Sequence, residues 1–203
     1  MTAQQFLDAL RREGLAVEER PGWRSHNRNQ KGPWGPLNGV MIHHTVGGEN
    51  GAVDTVFNGR SDLPGPLAHG VIHKSGLVTV TGWGRANHAG RGDVRVLNAV
   101  MRDSPKRPAP GAGTVDGNPR FIGFECVNWG NGEDPWPDEQ VLAMARASAA
   151  VCRFYRWRPE SVIGHKEWTN QKVDPRGVSM DALRRMTGKI LAKPPVGVRK
   201  AAA

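Results

Sequence analysis

The chain has 203 residues, 28 Lys and Arg against 19 Asp and Glu, and a net charge of +9, enough for one domain with short additions. No stretch approaches the roughly 18 consecutive apolar residues of a membrane-spanning helix, and two cysteines, Cys126 and Cys152, are too few for a disulfide framework. Both cysteines sit in apolar settings and read as buried core thiols, while the basic balance draws such a chain to polyanions: nucleic acid, acidic lipid or an anionic cell wall.

Thr2 and Gln5 have the spacing of a capping box, and Phe6, Leu7 and Leu10 make a short apolar stripe before Gly14, so residues 2–13 are expected to be helical. Acidic residues and the lack of a secretory apolar core in this segment imply a protein kept in the cytoplasm where it is made. LAVEER (15–20) reads as a strand and the polar, Pro- and Gly-rich residues 21–36 as a loop, giving an N-terminal helix-and-loop extension over 1–36. Residues 38–44 form an apolar strand that ends in His43 and His44. Side chains alternate faces along a strand, so at most one of the two can serve a given site.

A short helix is expected near 51–58, and AHGVIHKSG with LVTVTGW reads as a hairpin. His69 and His73 lie about 13 Å apart on such a strand, at ~3.3 Å per residue, and do not make a chelating pair. Residues 101–119 read as a long irregular loop, a kind that tends to be functional or mobile. FIGFECVN (121–128) is a strand holding a carboxylate, Glu125, between Phe124 and Cys126. Burying that group costs several kcal/mol, roughly, unless it is paired or put to use. Pro137, Asp138 and Glu139 start a helix whose buried stripe reads as Val141, Leu142, Ala145, Ala149, Cys152 and Tyr155. A strand over 161–165, a last helix over about 180–192 and a linker-like tail over 193–203 complete an α/β chain: one domain with a central mixed sheet flanked by helices.

The segment IGHKEWTNQKVDP (163–175) places His165 at a strand end, followed by Lys172 and Asp174. Two histidines and a carboxylate from separate segments are a plausible three-ligand zinc set with a fourth position open to water. Glu125 remains either half of a buried ion pair or a working acid–base group.

IHHT, HAG, IGFE and GHKEW followed by K-x-D-P, in that order, resemble the zinc-dependent N-acetylmuramoyl-L-alanine amidases, which share a fold with T7 lysozyme and the peptidoglycan recognition proteins. The resemblance spans roughly 37–190 and sets an expected amidase domain over 37–192. It implies His43, His165 and Asp174 as ligands of one zinc ion, with His44 left as a hydrogen-bonded core residue. It further implies Glu125 as the general base, Lys172 as the stabiliser of the tetrahedral oxyanion, and His69 and His88 as walls of the substrate groove. Asn87 stands where the family usually has an aromatic residue, and Ala68 where T7 lysozyme has a tyrosine. The bond cut would join N-acetylmuramic acid to L-alanine of the stem peptide, with peptidoglycan as partner and the protein a monomer. Size, charge and the lack of a leader resemble a bacteriophage endolysin, held in the host cytoplasm until release to the wall. The alternative is a non-catalytic peptidoglycan-binding module of the same fold. A nucleic-acid partner is not expected, because Lys and Arg are scattered. Arg184, Arg185, Lys189 and Lys193 are the candidates for electrostatic capture of the wall. His73 is expected at the surface, and His26 is assigned no role.

Overall fold

Two six-residue strands with almost wholly apolar sequences dominate the architecture, because a strand buried on both faces needs helices on both sides. The computed structural model describes residues 1–197. In chain order the main elements are α1 (Ala3–Arg12), β1 (Val17–Glu19), β2 (Gly39–His44), α2 (Ala52–Asn58), β3 (Gly70–Ile72) and β4 (Val78–Val80). They are followed by α3 (Val94–Met101), β5 (Phe121–Cys126), α4 (Asp138–Tyr155), β6 (Val162–Gly164), the one-turn α5 (His165–Trp168) and α6 (Met180–Leu191). The sheet runs β1-β4-β3-β5-β2-β6. All neighbours are parallel except the β3–β4 hairpin, so the sheet is mixed.

One face carries Val40, Ile42, Ile122, Phe124 and Val162 against α1, α4 and α6. The other face carries two smaller clusters. Met41, Phe121 and Ile163 pack on α3 and Trp168, and Val71 packs on Ala52 and Val56 of α2. By the register, His43 and Glu125 belong to this second face, between the two clusters. No helix among the described residues is long and apolar enough to cross a membrane.

Several expectations hold. Gln5 N–H donates to Thr2 Oγ1 at 3.2 Å and Thr2 N–H to Gln5 Oε1 at 2.7 Å, which is the capping box. The hairpin, the short helix α2 and the buried free thiols Cys126 and Cys152 also match.

The N-terminal helix-and-loop extension is joined to the main body: Phe6, Leu7 and Leu10 enter the main core, Phe6 stacks on Trp83 at 4.8 Å, and β1 pairs in register with β4. On α4 the expected stripe holds at Ala145, Ala149 and Cys152, all buried, but Leu142 is 38% exposed, and the buried face extends to Met144, Ala147 and Val151. The alanines widen that face, so the larger Leu142 is not needed to fill it. Residues 94–101 form α3, capped by Asp93 accepting from Arg95 N–H at 2.8 Å, and the loop that follows pairs Val115–Asp116 with Arg91–Gly92. The tail begins against α1, with Gly197 N–H donating to Arg12 O at 2.9 Å, and its last six residues lie outside the described ones.

Candidate metal centre and active site

Three segments converge on the second face of the sheet. β2 ends with His43, β6 hands directly into α5 at His165, and the turn after α5 carries Asp174, whose backbone oxygen accepts from Lys166 N–H at 2.7 Å. Lys166 Nζ donates to the carbonyls of Pro175 and Val178 at 2.9 and 2.8 Å, tying that turn to the helix. His43 Nδ1 lies 3.1 Å from His165 Nδ1 and 3.0 Å from Asp174 Oδ2, and His165 Nδ1 lies 3.1 Å from the same oxygen. All three residues are buried.

Hydrogen bonding behind the rings shows which atoms face that triangle. His88 Nε2 donates to the Phe121 carbonyl at 3.0 Å, because a carbonyl has no proton to give. Burial pushes the His88 pKa well below its usual range, so the ring is neutral and its Nδ1 is an acceptor. His43 Nε2, 3.0 Å away, must be the donor to it. Burial also brings the His43 pKa down to about 4, leaving a lone pair on its Nδ1. His165 Nε2 donates to Ala89 O at 3.2 Å, which turns its Nδ1 inward as well.

Two ring nitrogens and a carboxylate oxygen thus converge on one point, where a cation would be bound by all three. Tetrahedral zinc, with bonds of about 2.0–2.1 Å, sets its ligand atoms about 3.3 Å apart, close to the observed separations. The donor set can hold a metal ion.

The triangle opens onto a cavity of about 470 Å³ whose lining includes Glu125, Lys172, His88, Asn87 and Trp129. Glu125 pairs with His43 in the β2–β5 register, and its Oε2 is shut from solvent without a hydrogen-bond partner among the described residues. Burial first, and Asp174 second, push its pKa well up, with Lys172 opposing. Lys172 is exposed at the cavity edge. The structure therefore brings His43, His165, Asp174, Glu125, Lys172 and His88 together.

His69 does not join them. It is fully buried, its Nε2 donates to Gly84 O at 2.9 Å and its Nδ1 accepts from Gly123 N–H at 2.9 Å, and Trp34 stacks on the ring at 5.0 Å. With both nitrogens committed and the ring covered, His69 braces β5 and walls no groove. His88 does border the cavity, but both of its nitrogens are likewise taken. His44 points to the opposite side of β2 and accepts from Arg176 N–H at 3.2 Å, as alternation requires. His73 is half-buried between Glu49 and Thr79, and His26 donates to Phe57 O at 2.7 Å. Two residues the sequence reading passed over stand at the site: Trp129, 57% exposed at the cavity rim, and Asn118, behind His88. An exposed aromatic after a buried strand was a signal for the first. Nothing local marked the second.

The family model described as N-acetylmuramoyl-L-alanine amidase matches residues 33–177. The chain belongs to that amidase family. Its activity is accordingly peptidoglycan amidase activity, a hydrolysis of the bacterial cell wall at the bond between N-acetylmuramic acid and L-alanine. Solved amidase-fold structures resemble it at low identity. The N-acetylmuramoyl-L-alanine amidase endolysin LysCS from Clostridium intestinale URNW is 17% identical with a TM-score of 0.54, over 83% of this chain and 93% of that one. The Ph2119 endolysin from the Thermus scotoductus MAT2119 bacteriophage is 20% identical with a TM-score of 0.54, over 85% and 99%. Staphylococcus aureus hydrolase AmiA, in complex with its ligand, is 16% identical with a TM-score of 0.56, over 94% and 91%. At these identities the likeness establishes the shared fold. No curated protein sequence matches the chain significantly.

Proposed function

We propose that this amidase is zinc-dependent, with His43, His165 and Asp174 holding one ion, and that it acts as a monomeric lytic enzyme of the phage endolysin kind, held in the host cytoplasm until it reaches the wall. The observation that carries the reading is the triangle of inward-facing ligand atoms, 3.0–3.1 Å on each side, with Glu125 presented on the same face of the sheet. Bound there, zinc supplies Lewis acidity, polarising the scissile carbonyl and lowering the pKa of a coordinated water.

The chain's own residues do the rest. Glu125 takes the proton of the attacking water and passes it to the departing amine nitrogen. Its closed, poorly solvated setting favours this, since a carboxylate with a raised pKa is a better base and can keep the proton until the amine leaves. Lys172 brings a positive charge to the cavity edge for the oxyanion of the tetrahedral intermediate. The cavity's exposed end, with Trp129 and Asn87, receives the muramoyl-peptide. A binding module that does not cut would have no use for a half-buried Glu125 whose Oε2 is shut from solvent without a partner among the described residues, which favours the catalytic reading.

Two measurements test it together: zinc content of the purified protein, and mass spectrometry of fragments released from peptidoglycan. One zinc per chain and stem peptides freed at their L-alanine amino terminus are expected. Released fragments with that terminus still blocked by the sugar acid would overturn the bond assignment, and full activity after complete zinc removal would overturn the metal.

A further inference from the structure

Residues His88–Gly90 run as a strap behind the metal-binding face, and both histidines of the triangle lean on it. His43 Nε2 donates to His88 Nδ1 at 3.0 Å, and His165 Nε2 donates to Ala89 O at 3.2 Å. The strap is itself pinned by one atom. Asn118 Oδ1 accepts from three successive backbone N–H groups, those of His88 at 3.0 Å, Ala89 at 2.8 Å and Gly90 at 3.1 Å. Asn118 is buried, and its own N–H donates to Asp116 Oδ1 at 3.0 Å. On the far side His88 Nε2 is held by Phe121 O at 3.0 Å.

We propose that this strap, fixed by Asn118, sets the tautomer of both histidines, so that His88 and Asn118 are positioning residues for the metal. A histidine can present Nδ1 to an ion only if its single proton sits on Nε2, and a proton on Nε2 in a buried site needs an acceptor. His43 has a strong competing choice: its Nδ1 is 3.0 Å from Asp174 Oδ2, an acceptor for a proton carried there instead. In that tautomer the nitrogen is blocked and the ion has no ligand. His88 removes the choice, because Phe121 O already claims the Nε2 proton of His88 and leaves it only an acceptor to offer. Ala89 O does the same for His165. Asn118 makes the two acceptors one rigid unit: its oxygen occupies the amides of the strap, so the His88 ring and the Ala89 carbonyl keep their places whether or not the ion is present. Gly123 completes the seat. The ring of His88 lies across it so closely that a Cβ there would be 2.5 Å from Nδ1.

This inference rests on the zinc reading for its purpose but not for its test. Long-range proton–nitrogen spectra of the metal-free, full-length protein with labelled histidine report the tautomer of each ring. The expected result is Nε2–H on His43, His88 and His165. Finding Nδ1–H as the main form of His43 would overturn the proposal, and this measurement needs no variant to fold. Zinc affinity by chelator competition supplies the second arm. His88→Leu and Asn118→Ala should weaken binding about 10–100-fold, the usual scale for groups behind a metal ligand. Asn118→Asp, which keeps an acceptor oxygen, should restore most of it. In His88→Leu the metal-free His43 should shift toward Nδ1–H. Affinities within twofold of the parent in both weakened variants would overturn the proposal. A parent that binds no zinc yet shows the expected tautomers would overturn the zinc reading while supporting the preset geometry.

Discussion

His43 and Glu125 are direct partners in the parallel pairing of β2 with β5, so the register that buries both strands also delivers a histidine and a carboxylate to the same side of the sheet. Neither side chain can change face without a one-residue slip, which would expose the apolar residues of a whole strand. Glu125→Gln keeps the shape and removes the base. Zinc content should stay near that of the parent while turnover falls at least ~100-fold, the lower end of general acid–base contributions. Near-full activity of Glu125→Gln would make the glutamate structural.

The same substitution has a signature in stability. The folded-state pKa of Glu125 is raised well above its ordinary value by burial. The folded state therefore holds a proton that the unfolded state gives up, and stability falls as pH rises through the interval between the ordinary carboxylate pKa and the raised one. In zinc-free protein, Glu125→Gln should melt above the parent at pH 8, and the gap should shrink as pH falls toward 4. Thermal scans at several pH values check this; a gap that widens on acidification would mean that the carboxylate is stabilised as an anion.

The two adjacent histidines separate by face. Asp174→Ala and His43→Ala should each lose zinc, because each removes one corner of the triangle. His44→Ala should keep zinc and lose about 1–3 kcal/mol of stability, since it strands the Arg176 N–H that His44 accepts. Metal analysis of the three variants decides, and zinc lost from His44→Ala but kept in His43→Ala would reverse the assignment.

How much of this was legible beforehand follows the range of the interactions. The capping box of Thr2 and Gln5 and the opposite facing of His43 and His44 are local, and both were readable from spacing alone. The order of the motifs located Glu125, His165 and Asp174 through resemblance. His69 misled because a histidine on a strand carries no mark of which acceptors await it: Gly84 O and Gly123 N–H come from two other segments. Asn118 was invisible for the same reason, reading as one more polar residue of a Gly- and Pro-rich loop, although it holds three amides of a distant strap. Arg184 looked like a free surface charge, yet it is tied to both oxygens of Glu167 at 2.9 and 3.0 Å and to Asp181 at 2.5 Å.

Gly123, the glycine of IGFE, has a reason that no turn supplies. It lies inside β5, and a Cβ there would meet the His88 ring at 2.5–2.8 Å. Gly123→Ala should push that ring off its seat and weaken zinc binding, with the fold retained as judged by circular dichroism. Since His69 also accepts from Gly123 N–H, a modest drop in melting temperature is expected too. Unchanged zinc affinity in a folded Gly123→Ala would show that the ring has room to move.

The last prediction concerns the net charge of +9. Attraction to an anionic wall acts over the Debye length, which shrinks from about 10 Å at 0.1 M salt to about 3 Å at 1 M. Hydrolysis itself takes place among buried groups that salt screens much less. Activity on intact walls should therefore fall steeply with salt, while cleavage of a small soluble muramoyl-peptide changes little. Arg184 cannot contribute, being engaged with Glu167 and Asp181 and only partly exposed. Arg185 and Lys189 on α6 and Lys193 just beyond it are exposed and remain the candidates. Neutralising those three should flatten the salt dependence on walls and leave the small substrate unaffected, whereas Arg184→Gln should lower stability by releasing Glu167, which caps α5 through the Gly164 N–H at 3.0 Å. Activity against salt, measured on both substrates for parent and variants, decides the matter. Equal salt sensitivity on the two substrates would exclude electrostatic capture and leave the charge as a means of keeping the protein in solution.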